Sequence, residues 1–514
     1  MNFSKPKLSF WQIINMNVGF FGIQYSFGLQ QSAVNPIYDF LGASPDQIPW
    51  LNLAGPMTGL LVQPIIGALS DRTWSPKFGR RKPYFFIGAI MCSLALFFFP
   101  FSSTLWMAGG LLWILDAGNN TAMEPYRAFV ADKLDSTQQA TGFQAQSFFT
   151  GFGQTLANLS LLVFPLFILG KTGKIPNWVF ASFFLGAVCS IASVWWSMKT
   201  TPEIPPSDEE IAEMKSKPMN LLSPFADVIS AIGNMPKVMW LLALVYMFQW
   251  YALFCYWQNS SKAVAQNVYG WTVPNHSPLE DSLSKQYATF KKNISIYAED
   301  KGLDKKKILN DDIPAAEVYS KWKDSVAHPN LGDADIVSIS AIDINERKYE
   351  KAVSQTGGIN AWYNVVTFLI AFLLVGFAKK YSPKYVHFIC LLFAGIGFIA
   401  FSQMHQISLM YVAITGFGIG WASMMGIPYL MVVGDIPKEK YGVYMGIINM
   451  MIVIPMLIQT VTFGYILKNF LHNDPTKAIL FAGVLLLVAA AATLLLKNKK
   501  LSNEMMAAPS TGGH

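Results

Sequence analysis

The segment ILDAGNNTAMEPYRAFVADKL, Ile114 to Leu134, sets Asp116, Asn119, Asn120, Glu124 and Arg127 inside an otherwise apolar stretch. An ionised group at the centre of a bilayer costs at least about 2.5–3.5 kcal/mol, so such residues face a polar cavity and commonly serve transport. A partly desolvated carboxylate can exchange a proton at physiological pH, which makes Asp116 the candidate proton site. The alternative is a carboxylate merely satisfied by neighbouring asparagines. On a helix rising about 1.5 Å per residue, Arg127 lies three turns and about 16 Å from Asp116, out of direct reach. Asn120 shares the Asp116 face at i+4, and Glu124 reaches Arg127 at i+3. Glu124 and Arg127 read equally as a structural ion pair or as part of a gate, and with Asp116 they complete the proton-coupling set.

These residues matter only if the surrounding elements leave water. Of 514 residues, 53% are hydrophobic and 13% charged, far from the roughly one quarter charged of soluble domains. Apolar runs of at least about 18 residues, enough to cross a bilayer, recur along the chain. Periodicity predicts twelve spans, at roughly 10–38, 49–69, 84–101, 105–131, 141–169, 176–198, 236–262, 355–378, 385–403, 407–433, 441–468 and 476–496. The fold class is therefore an all-α membrane protein of twelve transmembrane helices in two six-helix bundles. The amino-terminal run is too long and too polar for a cleavable signal, so the first helix is expected to stay. Cys92, Cys189, Cys255 and Cys390 fall inside spans without metal-ligand spacing and read as packing residues. Basic residues crowd the loops after spans 2, 6 and 8, which predicts cytoplasmic termini. The net charge of +7 is then topology, with no nucleic-acid partner implied.

The predicted organisation is a first bundle at 1–199, a Pro-rich cytoplasmic linker with a short amphipathic helix capped by Ser207 at 200–235, a second bundle at 236–498 and a cytoplasmic tail at 499–514. An extracytoplasmic insertion at 271–350 carries 11 Lys/Arg and 14 Asp/Glu, and reads as a small helical cap or as a partly disordered segment. The halves look like repeats. Pro125, Tyr126 and Asp132 map onto Pro428, Tyr429 and Asp435, while Asp116 and Arg127 map onto Ile419 and Leu430. Repeated halves point to a transporter with its site between them near the midplane. Charge confined to the first half suggests ion chemistry there.

The expected ligand site is lined by amides. From the first half come Gln24, Gln30, Asn52, Asn119, Asn120 and Gln146. From the second come Gln249, Gln258, Asn360 and Asn364, with Trp257 as a ring platform. Amides with aromatic faces suit a neutral polyhydroxylated ligand, whose hydroxyls need both donors and acceptors. For any one amide, helix–helix adhesion is an equally good reading. The loop GALSDRTWSPKFGRRK supplies Asp71, Arg72, Arg80 and Arg81, expected to latch the halves on the cytoplasmic side; the alternative is positive-inside topology alone.

GPMTGLLVQPIIGALSDRTWSPKFGRRKPYFFIG followed by DAGNNTAMEPYRAFVAD closely resembles the sucrose–proton symporters, a branch of the major facilitator superfamily near the glycoside–pentoside–hexuronide symporters. The match is specific over about residues 22–135 and weaker at YALFCYWQNSSKAVAQNVYGW. The resemblance implies alternating access and proton-coupled uptake of a glucoside, with Asp116 matching the family's protonated helix-4 aspartate and Arg127 its helix-4 arginine. The chain departs from plant members at Ala43, Ser44 and Pro45, where their histidine is missing, and at Asn259, Ser260, Lys262, Gln266 and Asn267. A bacterial carrier of maltose or another disaccharide, in the inner membrane and monomeric, fits these departures better than a plant-like sucrose loader. Sodium symport or uniport is the first rival, and a non-transporting receptor built on 271–350 the second. Nothing resembles a nucleophile–base pair, nucleotide loop or metal cluster, so neither enzyme activity nor a cofactor is expected.

Overall fold

The computed structural model describes residues 7–135, 138–207, 209, 211–212, 232–233, 235–274, 278–303, 315–326, 333–432 and 441–497. Its first half comprises α1 (Phe10–Phe40), α2 (Ile48–Leu51), α3 (Ala54–Arg72), α4 (Lys82–Phe98), α5 (Leu105–Lys133), α6 (Gln139–Val163) and α7 (Asn177–Thr200). A two-residue hairpin, β1 (Lys171–Thr172) with β2 (Ile175–Pro176), joins α6 to α7. The second half comprises α8 (Lys237–Tyr269), α9 (Pro278–Asp300), α10 (Ala315–Trp322), α11 (Asp333–Tyr381), α12 (Pro383–Gln403), α13 (Ile407–Val432), α14 (Tyr441–Asn469) and α15 (Pro475–Thr493). Taking α2 and α3 as one broken span and setting α9 and α10 aside, these are two bundles of six helices. Most of the linker and the whole 499–514 tail lie outside the described residues, as does Asp435 of the repeat.

The two bundles pack by the same scheme. In the first, α1 lies on α6 and α7, α4 on α5 and α7, and α3 on α5. In the second, α8 lies on α14 and α15, α12 on α13 and α15, and α11 on α13. Small residues let these backbones meet, since in lipid close packing rather than hydrophobic burial drives helix association. A Cβ at Gly88 of α4 would lie 2.6 Å from the Ala122 nitrogen of α5. Its counterpart Gly397 of α12 sits as close to the Ala413 carbonyl of α13, at 2.6 Å. Between the bundles, α6 packs on α11 and α14 on α3.

Local sequence sets several ends. Ser9 and Gln12 form a reciprocal capping box that opens α1. Asp474 caps α15 by accepting from the Thr476 and Lys477 backbones at 2.9 and 3.3 Å. Partial burial raises its pKa, but hydrogen bonds from Thr476, Lys477 and Gln266 outweigh that and hold it below the ordinary carboxylate value.

Glu203, beyond the end of α7, accepts the backbone N–H groups of Arg80, Arg81 and Lys82 at 2.7, 3.0 and 2.8 Å. The carboxylate thus sits at the positive end of α4. Gly79, at φ +84°, allows the approach, because a Cβ there would lie 2.6 Å from Glu203 Oε1. Glu203→Ala is expected to cost about 2 kcal/mol, since it strands three part-buried donors of a charge-assisted cluster. Thermal unfolding of the detergent-solubilised protein checks this.

Two boundaries differ from the sequence reading. Asn52 and Leu53 interrupt the second span between α2 and α3. The predicted edge of the insertion at residue 350 falls inside α11, one uninterrupted helix of 49 residues that begins in the insertion and continues through the bundle. The described part of the insertion is helical and has its own apolar centre, in which Leu283, Phe290 and Ile294 of α9 meet Val318 of α10 and Ile336 and Ile339 of α11.

Candidate functional site

Asp116 sits in the middle of α5 and is 2% exposed. Its Oδ1 accepts Gln30 Nε2 from α1 at 2.8 Å. Gln30 Oε1 in turn accepts Asn119 Nδ2 at 3.3 Å. Asn120 donates to Thr58 Oγ1 and to the Asp116 carbonyl, both at 3.0 Å, and accepts Gln63 Nε2 at 2.6 Å. The structure therefore brings Asp116, Gln30, Asn119 and Asn120 into one buried network spanning α1, α3 and α5. Asp116 Oδ2 is buried without a hydrogen-bond partner, and a Cβ on Gly55 would lie 3.3 Å from it. A buried acceptor left open in this way is an exception among folded proteins and marks a place where a proton, water or ligand completes the site.

Further along α5, Arg127 Nη1 stands 4.0 Å from Glu124 Oε2, and Arg127 Nη2 lies 3.4 Å from Met123 Sδ. The Glu124 side chain is 40% exposed while that of Arg127 is 13% exposed. The pair lies apart from the Asp116 network, as three turns of separation require.

The remaining amides divide by whether their polar atoms are spoken for. Gln24 accepts Gln154 Nε2 at 2.9 Å, and Gln258 pairs with Gln459, the shorter bond at 2.9 Å; both act as helix–helix adhesion. Asn52 donates to Asn35 Oδ1 at 2.7 Å, near the insertion end of the bundle. Asn360 accepts the Tyr256 hydroxyl at 2.8 Å and donates to Ser32 Oγ of α1 at 2.9 Å, bridging the two halves. Asn364 donates to the Asn360 carbonyl at 2.9 Å. Gln249 is different: it is fully buried, and both its amide nitrogen and its amide oxygen lack a hydrogen-bond partner. Gln146 Nε2 is likewise open. Next to Gln249 in sequence, Trp250 meets Trp421 edge to face at 5.8 Å, and Trp257 meets the same ring at 5.8 Å from another side. Trp421 thus joins the aromatic set around Trp257.

The charged loop between α3 and α4 is drawn together within the first half. Arg81, 6% exposed, pairs with Asp71 at 2.6 Å and with Asp132 at 3.0 Å, while Arg80 stands 3.5 Å from Asp71. Arg72 closes the last turn of α3, where a cation suits the negative end of the helix. The side-chain partners seen for Arg80 and Arg81 all belong to the first half, so these contacts form a clamp inside one bundle. The stretch that follows α13, residues 433–440, lies outside the described residues. Sequence reading missed Glu203 in this cluster; an acid just past a helix end was its only signal.

The Major Facilitator Superfamily profile matches residues 16–283 and 336–505. The chain belongs to this superfamily. As a superfamily member, it is a multi-pass membrane protein. Among the described residues nine segments are long and apolar enough to cross a membrane, and in α1, α5 and α11 polar residues interrupt the apolar sequence. Similar curated superfamily relatives include "Sucrose transport protein SUT5" of Oryza sativa subsp. indica, 24% identical over 287 residues, or 48% of this chain and 51% of that protein. "Sucrose transport protein SUC3" of Arabidopsis thaliana is 31% identical over 182 residues, 30% of this chain and 28% of that one. The chain thus spans about half or less of the length of these relatives. Among solved superfamily structures, the nucleoside transporter NupG aligns over 95% of this chain and 98% of its own, with a TM-score of 0.60 and 12% identity. The xylose transporter XylE of E. coli aligns over 96% and 100%, with a TM-score of 0.52 and 12% identity. At these identities the structural likeness concerns the fold.

Proposed function

We propose that this superfamily member is a proton-coupled importer of a neutral disaccharide or glucoside, of maltose or sucrose type, working by alternating access. The observation that carries the reading is the buried Asp116, whose second carboxylate oxygen is open while the first is held by Gln30. The relatives named as sucrose transport proteins support a sugar as cargo. In this reading a proton neutralises Asp116, the loaded halves rock about the midplane, and Glu124 with Arg127 stabilise release at the other face. Residues 1–199 and 236–498 are the moving bodies, 200–235 their linker, and both termini face the cytoplasm. The carrier makes and breaks no covalent bond. We place it as a monomer in a bacterial cytoplasmic membrane.

Uptake of labelled maltose and sucrose into proteoliposomes tests this. Accumulation driven by an imposed inward proton gradient and abolished by a protonophore is the expected result. Accumulation driven only by sodium would replace the coupling ion, and simple equilibration would make the protein a uniporter. Uptake of neither sugar would remove the proposed cargo.

Gln249 supplies a test of the ligand side. A buried amide without a partner in the protein costs about 1–3 kcal/mol, and a sugar hydroxyl would satisfy it. Gln249→Leu is therefore expected to raise the unfolding temperature measured without sugar while raising the apparent KM for sugar by about tenfold. Thermal unfolding and the concentration dependence of uptake, measured on the same preparation, check both halves.

A further inference from the structure

Two sets of ion pairs among the described residues cross between the halves at the insertion end. Asp39, in the last turn of α1, places Oδ1 2.8 Å from Lys262 Nζ of α8, with the two side chains 9% and 7% exposed. Asp39 Oδ2 accepts the hydroxyl of Tyr349 from α11. Tyr349 is itself buried, stacked on Trp271 at 5.2 Å and edge-on to Phe40 at 5.5 Å. One carboxylate of the first half thus holds a cation and a hydroxyl from two different helices of the second. A second crossing lies nearby. Lys171 of the β1–β2 hairpin is 2.5 Å from Glu350 Oε1 and 2.9 Å from Glu346 Oε2, both on α11. Burial opposes the Lys171 charge, but the two carboxylates more than offset it and hold the ammonium above its ordinary pKa.

The cap is tied into the same layer. Asn345 exchanges two hydrogen bonds with the Thr272 backbone, at 3.0 and 2.8 Å, and Lys348 donates to the Gly270 carbonyl at 3.1 Å. The base of the insertion, the end of α8 and the start of the membrane part of α11 are therefore one joined unit facing Asp39. Beneath it, two turns down α1, Ser32 is buried and accepts from Asn360.

Resting on the alternating-access reading above, we propose that Asp39, Lys262 and Tyr349 form the gate that closes the pathway on the insertion side, with Lys171, Glu346 and Glu350 as its more exposed outer clasp. The three buried groups satisfy one another while the halves are in contact. Opening on this side parts Asp39 from both partners, and water must then take their place. Removing one member of a buried pair weakens the arrangement that holds it, relative to the state in which the remaining group is hydrated. Each neutral variant therefore shifts the population towards the state open on the insertion side.

The test is the labelling rate of Ser32→Cys by a membrane-impermeant maleimide applied from the insertion side. It is read over the same chain without that cysteine, because Cys189 is half-buried and the other native cysteines are buried. In the closed arrangement labelling is slow. Asp39→Asn and Lys262→Met are each expected to raise the rate by about tenfold or more, as a population shift of that size requires. The exchanged pair, Asp39→Lys with Lys262→Asp, is expected to return it close to the starting rate. Tyr349→Phe removes one hydrogen bond and no charge; it serves if the charge variants fail to fold, with an expected rise of about threefold. Unchanged labelling in the variants that fold, or an exchanged pair that labels as fast as the single variants, overturns the proposal. Labelling requires no sugar or ion gradient, so failure of the transport reading would be seen separately.

Discussion

Asp116→Asn is expected to abolish gradient-driven sugar accumulation while leaving exchange of preloaded sugar intact. Asparagine is close in size to aspartate and keeps an oxygen for the Gln30 amide, so the network across α1, α3 and α5 should survive. What it removes is the only position in that network that can gain and lose a proton. One pH unit is worth about 1.4 kcal/mol, enough for about tenfold accumulation at one-to-one coupling. Wild type in proteoliposomes should reach that ratio under an imposed unit gradient, and the variant should stop at equilibration. The comparison that decides is exchange: the variant should swap labelled for unlabelled sugar at a rate within a few-fold of wild type. Equal accumulation by both proteins would move the coupling site away from Asp116, and loss of exchange together with accumulation would assign it a structural part.

The second large effect concerns assembly. Gly22 of α1 faces the backbone of α7, and a Cβ there would overlap the Cys189 carbonyl and lie 2.6 Å from Ser190 Cα. Backbone atoms on two packed helices cannot rotate aside as a side chain can. Gly22→Val should therefore force α1 and α7 apart, at a cost of about 3 kcal/mol or more. Because α1 also carries Gln30, Ser32 and Asp39, the displacement would be felt at the Asp116 network and at the insertion end together. The expected outcome is a sharp loss of monodisperse protein on size-exclusion chromatography and a lowered unfolding temperature in the remainder. A Gly22→Val variant as stable as wild type would mean that the two helices are free to separate.

The spans were legible in the sequence because a bilayer imposes a length and a composition that survive without any knowledge of packing. Asp116 was legible for the related reason that a carboxylate is costly in that setting. The amides were less so. Gln24, Gln258 and Gln249 look alike in sequence, yet Gln24 and Gln258 are matched with other glutamines while Gln249 is unmatched. Pairing depends on the register of two helices far apart in the chain, which periodicity does not carry. The same limit hid Asp39 and Lys262, separated by more than two hundred residues and each unremarkable alone. The α11 boundary was hidden for another reason: hydropathy marks where a helix enters lipid, and a helix need not stop there.

That uninterrupted α11 has a mechanical meaning. With 49 residues at about 1.5 Å each it is a rod of about 74 Å. Asn360, bonded to the first half, and Asp333, in the cap, are about 40 Å apart along it, so a tilt of about 10° about Asn360 would carry the tip through about 7 Å. If the halves rock as proposed, the cap is a pointer fixed to one of them, and a fluorophore or antibody fragment on it would read the swing from outside the membrane without touching the path between the halves.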